Sequence, residues 1–156
     1  MRNAQLTFSD LMPWLFKKVE MGMEFDQEMI ECLNGTCPPE DAEAANCTIY
    51  RAVQNNPPDD RDFLSYVREG KVSAAKAKCD DWGLSVWCDM DAVEHARDVI
   101  PHFQERYIAA GEMGDGHGVL KASPSRKQAR HFTFWNYANV KLSGAFEVVM
   151  PPVEEA

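Results

Sequence analysis

The sequence predicts an α+β fold in which N-terminal helices are followed by a mostly antiparallel sheet with packed helices. Helix signals concentrate in the first forty-odd of the 156 residues, whereas strand-like segments dominate the second half of the chain. Strands and helices do not alternate in the regular way that produces parallel βαβ units. We therefore expect a helical segment over residues 1–45, packed on an α+β domain over residues 46–150, and a tail over residues 151–156.

Capping residues indicate two N-terminal helices. Ser9 or Asp10 can accept hydrogen bonds from the first turn of one helix, and a proline is tolerated in that turn. Asp26 is placed in the same way before a second helix, and Asn34-Gly35 is typical of a helix end because both residue types adopt left-handed backbone conformations.

The predicted main domain contains β-prone segments separated by loops and helices. Its first four strands are expected at Thr48–Val53, Leu84–Cys88, Tyr107–Ala110 and Val119–Ala122. Its helices are expected over Asp60–Glu69 with Gly70 as the stop, over Ser73–Cys79, and from a capping box at Asp91 to just before Pro101.

The aromatic stretch from His131 to Met150 predicts a hairpin at the centre of the sheet. His131–Trp135 is β-prone, and Asn136–Asn139 is polar enough to turn the chain. From Val140 to Val149, apolar residues alternate with polar or small ones, as in a half-buried strand. The core is therefore expected to include Ile49, Val53, Leu84, Val86, Leu142, Phe146 and Val148.

Charge is distributed unevenly along the chain. The net charge is −9, yet residues 116–146 contain five basic and no acidic side chains, so that the remainder carries −14. An acidic body suits a protein partner with a basic surface and makes nucleic acid an unfavourable partner. The sequence also has no apolar run long enough to span a bilayer and no secretory leader, so we expect a cytoplasmic protein without a membrane partner.

The five cysteines predict free thiols. The number of cysteines is odd, and they are spread through a sequence of ordinary composition. A small secreted scaffold would instead have an even number of cysteines that pair in disulfides. We therefore expect no structural disulfide and no bound metal. A zinc site drawn from Cys32, Cys37, Cys47 and a histidine is an alternative that the spacing leaves open.

Three polar residues fall on predicted strands in a suggestive order. Arg51 lies on the first strand of the main domain, Ser85 on a later strand that a helix follows, and Glu147 on the last strand. This order resembles the arginine–serine–glutamate class of mono-ADP-ribosyltransferases, over residues 48–149. The resemblance implies that Arg51 holds the phosphates or ribose of NAD and that Ser85 supports the nicotinamide end. It also implies that Glu147 binds a ribose hydroxyl while positive charge develops at the anomeric carbon.

The chain departs from that family pattern at two points. The family's Ser-Thr-Ser is reduced to the single Ser85, and Ala145 stands where the family has Glu or Gln two residues before the final Glu. His131, at the start of the aromatic strand, is the histidine best placed for a site, and we group it with Arg51 as a candidate cofactor-binding residue.

Two functions remain open on the sequence alone. The first is a small acidic protein that acts by protein–protein interaction without a cofactor, as an inhibitor, immunity or regulatory factor. The acidic body, the Met- and aromatic-rich N-terminal segment and the lack of a complete catalytic motif favour it. The alternative is an ADP-ribosyltransferase-like enzyme that uses NAD through Arg51, Ser85, His131 and Glu147.

Overall fold

The computed structural model describes residues 22–153, which form a mixed α/β fold around one seven-stranded sheet. In chain order the elements are α1 (Gln27–Cys32), β1 (Glu43–Ala44), β2 (Thr48–Val53), β3 (Leu84–Trp87), α2 (Met90–Val99), β4 (Tyr107–Glu112), β5 (Gly118–Ala122), β6 (His131–Asn136) and β7 (Phe146–Met150). Short 3-10 helices cover Asp60–Phe63, Cys79–Trp82, Pro101–Glu105 and Leu142–Gly144. The strand order is β1-β5-β6-β3-β2-β4-β7, and every neighbouring pair is antiparallel, which confirms the antiparallel sheet predicted from the sequence.

The core lies on both faces of this sheet. One cluster contains six of the seven predicted core residues as buried side chains, and Val148 packs against it. On the opposite face, Trp87 and Ile108 pack with Ala92, Val93 and Ala96, which form the apolar stripe of α2. The predicted core is therefore confirmed.

The helix caps show how local signals set element boundaries. Asp26 Oδ1 accepts hydrogen bonds from the backbone N–H groups of Glu28 and Met29, as predicted, and α1 is followed by Asn34 and Gly35 at positive φ. The cap of α2 is Asp89 rather than the predicted Asp91, since Asp89 Oδ1 accepts from the Ala92 N–H at 2.7 Å. The helix predicted from Ser9 or Asp10 lies outside the described residues.

The predicted hairpin is wrong. Strand β6 pairs with β3 and β5, whereas β7 pairs with β4 at the far edge of the sheet. The strand predicted over Val140–Val149 begins only at Phe146, because Leu142–Gly144 forms a 3-10 helix that buries Leu142 in the core. The apolar alternation of this segment therefore reports burial of Val140 and Leu142 without strand geometry.

The helices predicted over Asp60–Glu69 and Ser73–Cys79 are also wrong. The buried carboxylate of Asp62 accepts hydrogen bonds from the backbone N–H groups of Gln54 and Asp59 and from Asn55 Nδ2. Such side-chain bonds to the backbone compete with helix formation, so only Asp60–Phe63 is helical. The segment before Cys79 forms a turn in place of the second helix.

The expectation of five free thiols is corrected at two positions. Cys37 and Cys79 form a disulfide between residues 42 positions apart, a pairing that spacing alone could not reveal. Cys32, Cys47 and Cys88 carry free thiols. The zinc alternative loses Cys37, because a disulfide sulfur is not available as a thiolate ligand.

Two further observations concern residues 22–153 as a whole. None of the helices in this range combines the length and apolar character that crossing a bilayer requires. No group of three or more His, Cys, Asp or Glu side chains in the same range is arranged to hold a metal ion.

Candidate functional site

The largest structural irregularity of the sheet lies between β2 and β3. Strand β2 pairs with β4 along all six of its residues, but the register between β2 and β3 contains a single pair, Tyr50 opposite Trp87. Beside this opening lies a cavity of about 350 Å³, which we call the cleft. Its volume falls within the range of small-molecule sites.

The cleft is lined by strands β2, β3 and β6 and by four loops. The lining residues on which the site depends are Arg51, Tyr66, Glu69, Lys71, Asp80, Ser85, Trp87, His102, Phe103, Arg106, Ser123, Gln128 and His131. Three cations and two carboxylates belong to this set, whereas the whole chain carries −9. The cleft thus has a positive balance in an acidic protein, which favours an anionic ligand.

Arg51 bridges the opening between the two strands. Its Nε donates to the backbone carbonyl of Asp62 at 2.8 Å, and its Nη1 donates to the carbonyl of Ser85 at 2.9 Å. Burial lowers the pKa of Arg51 to about 10, an effect that the charge of Glu69 opposes and that of Arg106 reinforces. The guanidinium still carries its charge at neutral pH and is held in place by two backbone acceptors.

The loop that holds Arg51 is itself fixed by Asp62. The three hydrogen bonds that Asp62 accepts tie residues 54, 55 and 59 to one buried carboxylate. Because the carbonyl of the same residue accepts from Arg51, the position of the guanidinium depends on this loop. Asp62 is therefore a positioning residue for Arg51.

His131 is held by Ser123, which directly follows the neighbouring strand β5. Its Nδ1 lies 2.8 Å from Ser123 Oγ and 3.2 Å from the Ser123 carbonyl oxygen, and Ser123 Oγ lies 2.8 Å from Thr133 Oγ1. Because a carbonyl can only accept, we assign the proton of the neutral ring to Nδ1, which leaves Nε2 as the acceptor. Burial lowers the pKa of His131, which favours the neutral form of the ring.

Aromatic rings and cations alternate along the cleft. Trp87 meets Phe103 edge-on at 5.9 Å between centroids, and it meets the His131 ring in the same manner at 5.5 Å. The Arg106 guanidinium lies 5.8 Å from the Phe103 centroid. At the outer side, Lys71 Nζ lies 5.4 Å from the Tyr66 centroid and 2.8 Å from a carboxylate oxygen of Glu69. Such a lining can stack on a planar ring while its cations contact an anion.

The structure brings together three of the four residues singled out from the sequence. Arg51, Ser85 and His131 all line the cleft, and Ser123, Ser125 and Gln128, from the segment without acidic residues, line it as well. Glu147 does not. It is exposed on β7 opposite Ala110, and it lines a separate hollow with Thr48 and Glu112. Strand β4 separates β7 from β2, so Glu147 cannot act in this cleft.

Several cleft residues were missed by sequence reasoning. Tyr66, Glu69, Lys71 and Arg106 belong to loops, Phe103 belongs to a short 3-10 helix, and none of the five carries a motif. Their convergence depends on how the segments after β2 and α2 fold over the opening beside β3. The one local signal in the sequence is the acid-free segment of residues 116–146, which contains Gln128.

Comparison with known proteins gives no family for the chain. No protein-family model matches it, and neither a search of curated proteins nor one of solved structures finds a match.

Proposed function

We propose that the cleft binds an NAD-type dinucleotide and that the protein acts on it as an ADP-ribosyltransferase-like enzyme. The observation that carries the proposal is the backbone-held guanidinium of Arg51 inside an aromatic cleft of positive balance. A guanidinium matches the geometry of phosphate oxygens, and aromatic side chains stack on the planar rings of a nucleotide. Arg51, Ser85 and His131 thus support the implied cofactor together.

This chemistry requires a carboxylate in the cleft, which Glu147 on β7 does not provide. In this proposal the carboxylate comes from the segment between β2 and β3. Glu69 and Asp80 are the carboxylates that line the cleft. In the transfer step, the bond between the anomeric carbon and the nicotinamide nitrogen breaks, and nicotinamide leaves with the electron pair. The acceptor then forms a bond to the anomeric carbon. A carboxylate beside that carbon stabilises the developing positive charge.

His131 is placed to receive the proton of the acceptor. Its neutral ring presents an unprotonated Nε2, because Nδ1 is engaged with Ser123. A positioned imidazole of this kind acts as a general base when the attacking group lies within hydrogen-bonding reach. In this proposal the proton of the acceptor hydroxyl or amine passes to His131 Nε2.

Binding is tested by isothermal titration calorimetry of the full chain with NAD and with ADP-ribose. Lys71→Ala should weaken both, because Lys71 is a cation of the cleft. Lys121→Ala is the matched control, since each lysine is paired with a carboxylate, at 2.8 Å for Lys71 and 2.9 Å for Lys121 with Asp41. Absence of binding by either ligand, or equal weakening by the two variants, would contradict the proposal.

Turnover is tested by measuring nicotinamide release with Glu69→Gln and Asp80→Asn. The carboxylate that acts in the transition state should retain NAD binding and lose most of the turnover when neutralised. Glu147→Gln is the control and should change neither. If wild-type protein binds NAD but releases no nicotinamide with any acceptor, the binding part of the proposal stands and the enzymatic part fails.

The protein–protein interaction hypothesis stays a prediction. It depends on the acidic body and on the N-terminal segment, of which residues 1–21 lie outside the described range. The cleft favours a small anionic ligand over it, because the positive balance of the lining is opposite in sign to the rest of the protein.

A further inference from the structure

A second hollow of about 250 Å³ adjoins the cleft, and we call it the basic groove. Its lining includes Trp87, His95, Arg126, Lys127, Gln128 and Arg130. Trp87 and Gln128 also line the cleft, so these two side chains form the wall between the two cavities. The proposed function makes no use of this groove.

Gln128 provides the observation that points to a ligand. The Trp87 indole Nε1 donates to Gln128 Oε1 at 3.1 Å, and an indole N–H can only donate, so the orientation of the amide is fixed. The Gln128 side-chain nitrogen is then directed elsewhere, and it is buried without a partner among the described residues. Gln128 is only 7% exposed. Gln128 lines both the cleft and the groove, and a side-chain amide donor without an acceptor can donate to a phosphate oxygen, which is a strong acceptor.

The charges of the groove support the same ligand chemistry. Arg126, Lys127 and Arg130 line it, and none of its lining residues is acidic. Arg130 is paired with Asp89 at 3.0 Å, whereas neither Arg126 nor Lys127 forms an ion pair within residues 22–153. Two unneutralised cations beside an unpaired amide donor suit a phosphomonoester, which carries about −1.5 to −2 charges at neutral pH.

We propose that the basic groove is a phosphomonoester subsite of the nucleotide cleft, with Arg126, Lys127 and Gln128 as its ligands. The inference rests on the proposed function, because the groove shares a wall with the proposed dinucleotide site. The phosphomonoester has two possible sources, an additional phosphate on the dinucleotide itself, as in NADP, or a separate phosphorylated acceptor. A long polyanion is disfavoured, since it would have to cross a protein surface that is acidic elsewhere.

Calorimetry on the full chain distinguishes the two sources. In the first arm NADP is compared with NAD, and in the second inorganic phosphate is titrated into NAD-saturated protein. We expect either a preference of about tenfold or more for NADP, corresponding to about 1.4 kcal/mol, or saturable phosphate binding. The Arg126→Ala/Lys127→Ala double variant should abolish whichever response is found and leave the Kd for NAD within about twofold.

Two further variants complete the experiment. Gln128→Met keeps the side-chain length but removes the amide. It should weaken the phosphate response, although, unlike the double variant, it leaves the charge of the groove unchanged. Lys76→Ala/Lys141→Ala is the charge-matched control, since both lysines are exposed and neither lines the groove. It should leave the response unchanged.

The outcomes separate this inference from the proposed function. If NAD and NADP bind equally and phosphate does not bind, the subsite is refuted while the dinucleotide site stands. If a response survives in the double variant, the phosphate is held elsewhere and the subsite is likewise refuted. If neither dinucleotide binds, the proposed function fails, and the inference fails with it. Tighter binding of an oligonucleotide than of NADP, lost in the double variant, would assign the groove to nucleic acid instead.

Discussion

Strand β2 forms one seam with β4 and another with β3, and the two seams differ in pairing. Along β4 every residue of β2 is paired, from Thr48 opposite Glu112 to Val53 opposite Tyr107. Along β3 the register contains the Tyr50–Trp87 pair alone, and the Arg51 side chain spans the gap to the Ser85 carbonyl. We call the first the closed seam and the second the open seam.

The difference between the seams separates stability from ligand binding. Around the closed seam, Ala109 and Phe146 are buried in the main core, and Glu147 remains as an exposed residue of the edge strand. At the open seam, the Ser85 carbonyl accepts a hydrogen bond from the Arg51 guanidinium, and the cleft lies beside it. We therefore expect substitutions around the closed seam to alter unfolding and those at the open seam to alter binding.

The largest expected effect follows from Phe146→Ala, beside the closed seam. Phe146 is buried, packs over Gly111 and lies 4.9 Å from Phe63 between ring centroids. Truncating a buried phenylalanine costs about 3–5 kcal/mol in the free energy of unfolding, which urea denaturation measures. Val149→Ala on the same strand is the control, since Val149 is 42% exposed and should change stability little. An equal loss in both variants would show that the closed seam does not carry the core.

At the open seam, Arg51→Lys should weaken NAD binding. Lysine keeps the charge but has a single nitrogen, which cannot occupy the separate positions from which Nε and Nη1 of Arg51 donate to the Asp62 and Ser85 carbonyls. Hydrogen bonds to charged groups contribute about 1.5–3 kcal/mol, so we expect the Kd to rise about 10- to 100-fold in calorimetry. Glu147→Gln should leave the Kd unchanged. If Glu147→Gln weakened NAD binding and Arg51→Lys did not, the assignment of ligand binding to the open seam would be contradicted.

Asp62→Asn tests whether the loop fixed by Asp62 positions Arg51 for binding in the cleft. The buried carboxylate accepts three hydrogen bonds, and an amide in its place turns one acceptor into a donor. Leaving a buried donor unsatisfied costs about 1–3 kcal/mol in the free energy of unfolding. Because the Asp62 carbonyl holds Arg51, the Kd for NAD should also rise. Asp60→Asn, at an exposed position of the same turn, is the control, and a change in stability without any change in Kd would remove the positioning role.

Local patterns predicted the individual strands well and their arrangement poorly. Thr48–Val53 was predicted with the bounds it has, because alternation and β-branched residues are properties of the strand itself. The hairpin prediction failed, because sequence neighbours need not pair: three strands, β3, β2 and β4, lie between β6 and β7. Burial of Leu142 in a 3-10 helix produced the same apolar alternation as a strand.

The candidate site was predicted in part for the same reason. Arg51 and Ser85 could be found because each sits on a strand whose position along the chain was evident, and His131 because it opens an aromatic strand. Whether Glu147 shares their cleft depends on strand order, which no local pattern fixes. The loop residues Lys71 and Arg106 reach the cleft through tertiary folding, so their spacing carries no signal.

The smallest expected effect concerns pH and His131, which lines the cleft beside the open seam. Burial lowers the pKa of His131 in the folded protein below the value of about 6.5 expected when the chain is unfolded. Below pH 6.5 the unfolded chain therefore binds a proton that the folded protein resists. The free energy of unfolding decreases as the pH is lowered from 6.5, until the pH reaches the pKa of His131 in the folded protein. His131→Gln removes this contribution, so its free energy of unfolding should vary less with pH between about 7 and 5 than that of the wild type. His95→Gln, at an exposed position of α2, should keep the wild-type dependence. Urea denaturation at a series of pH values measures both, and identical curves for wild type and His131→Gln would mean that His131 is freely solvated and not held in the cleft.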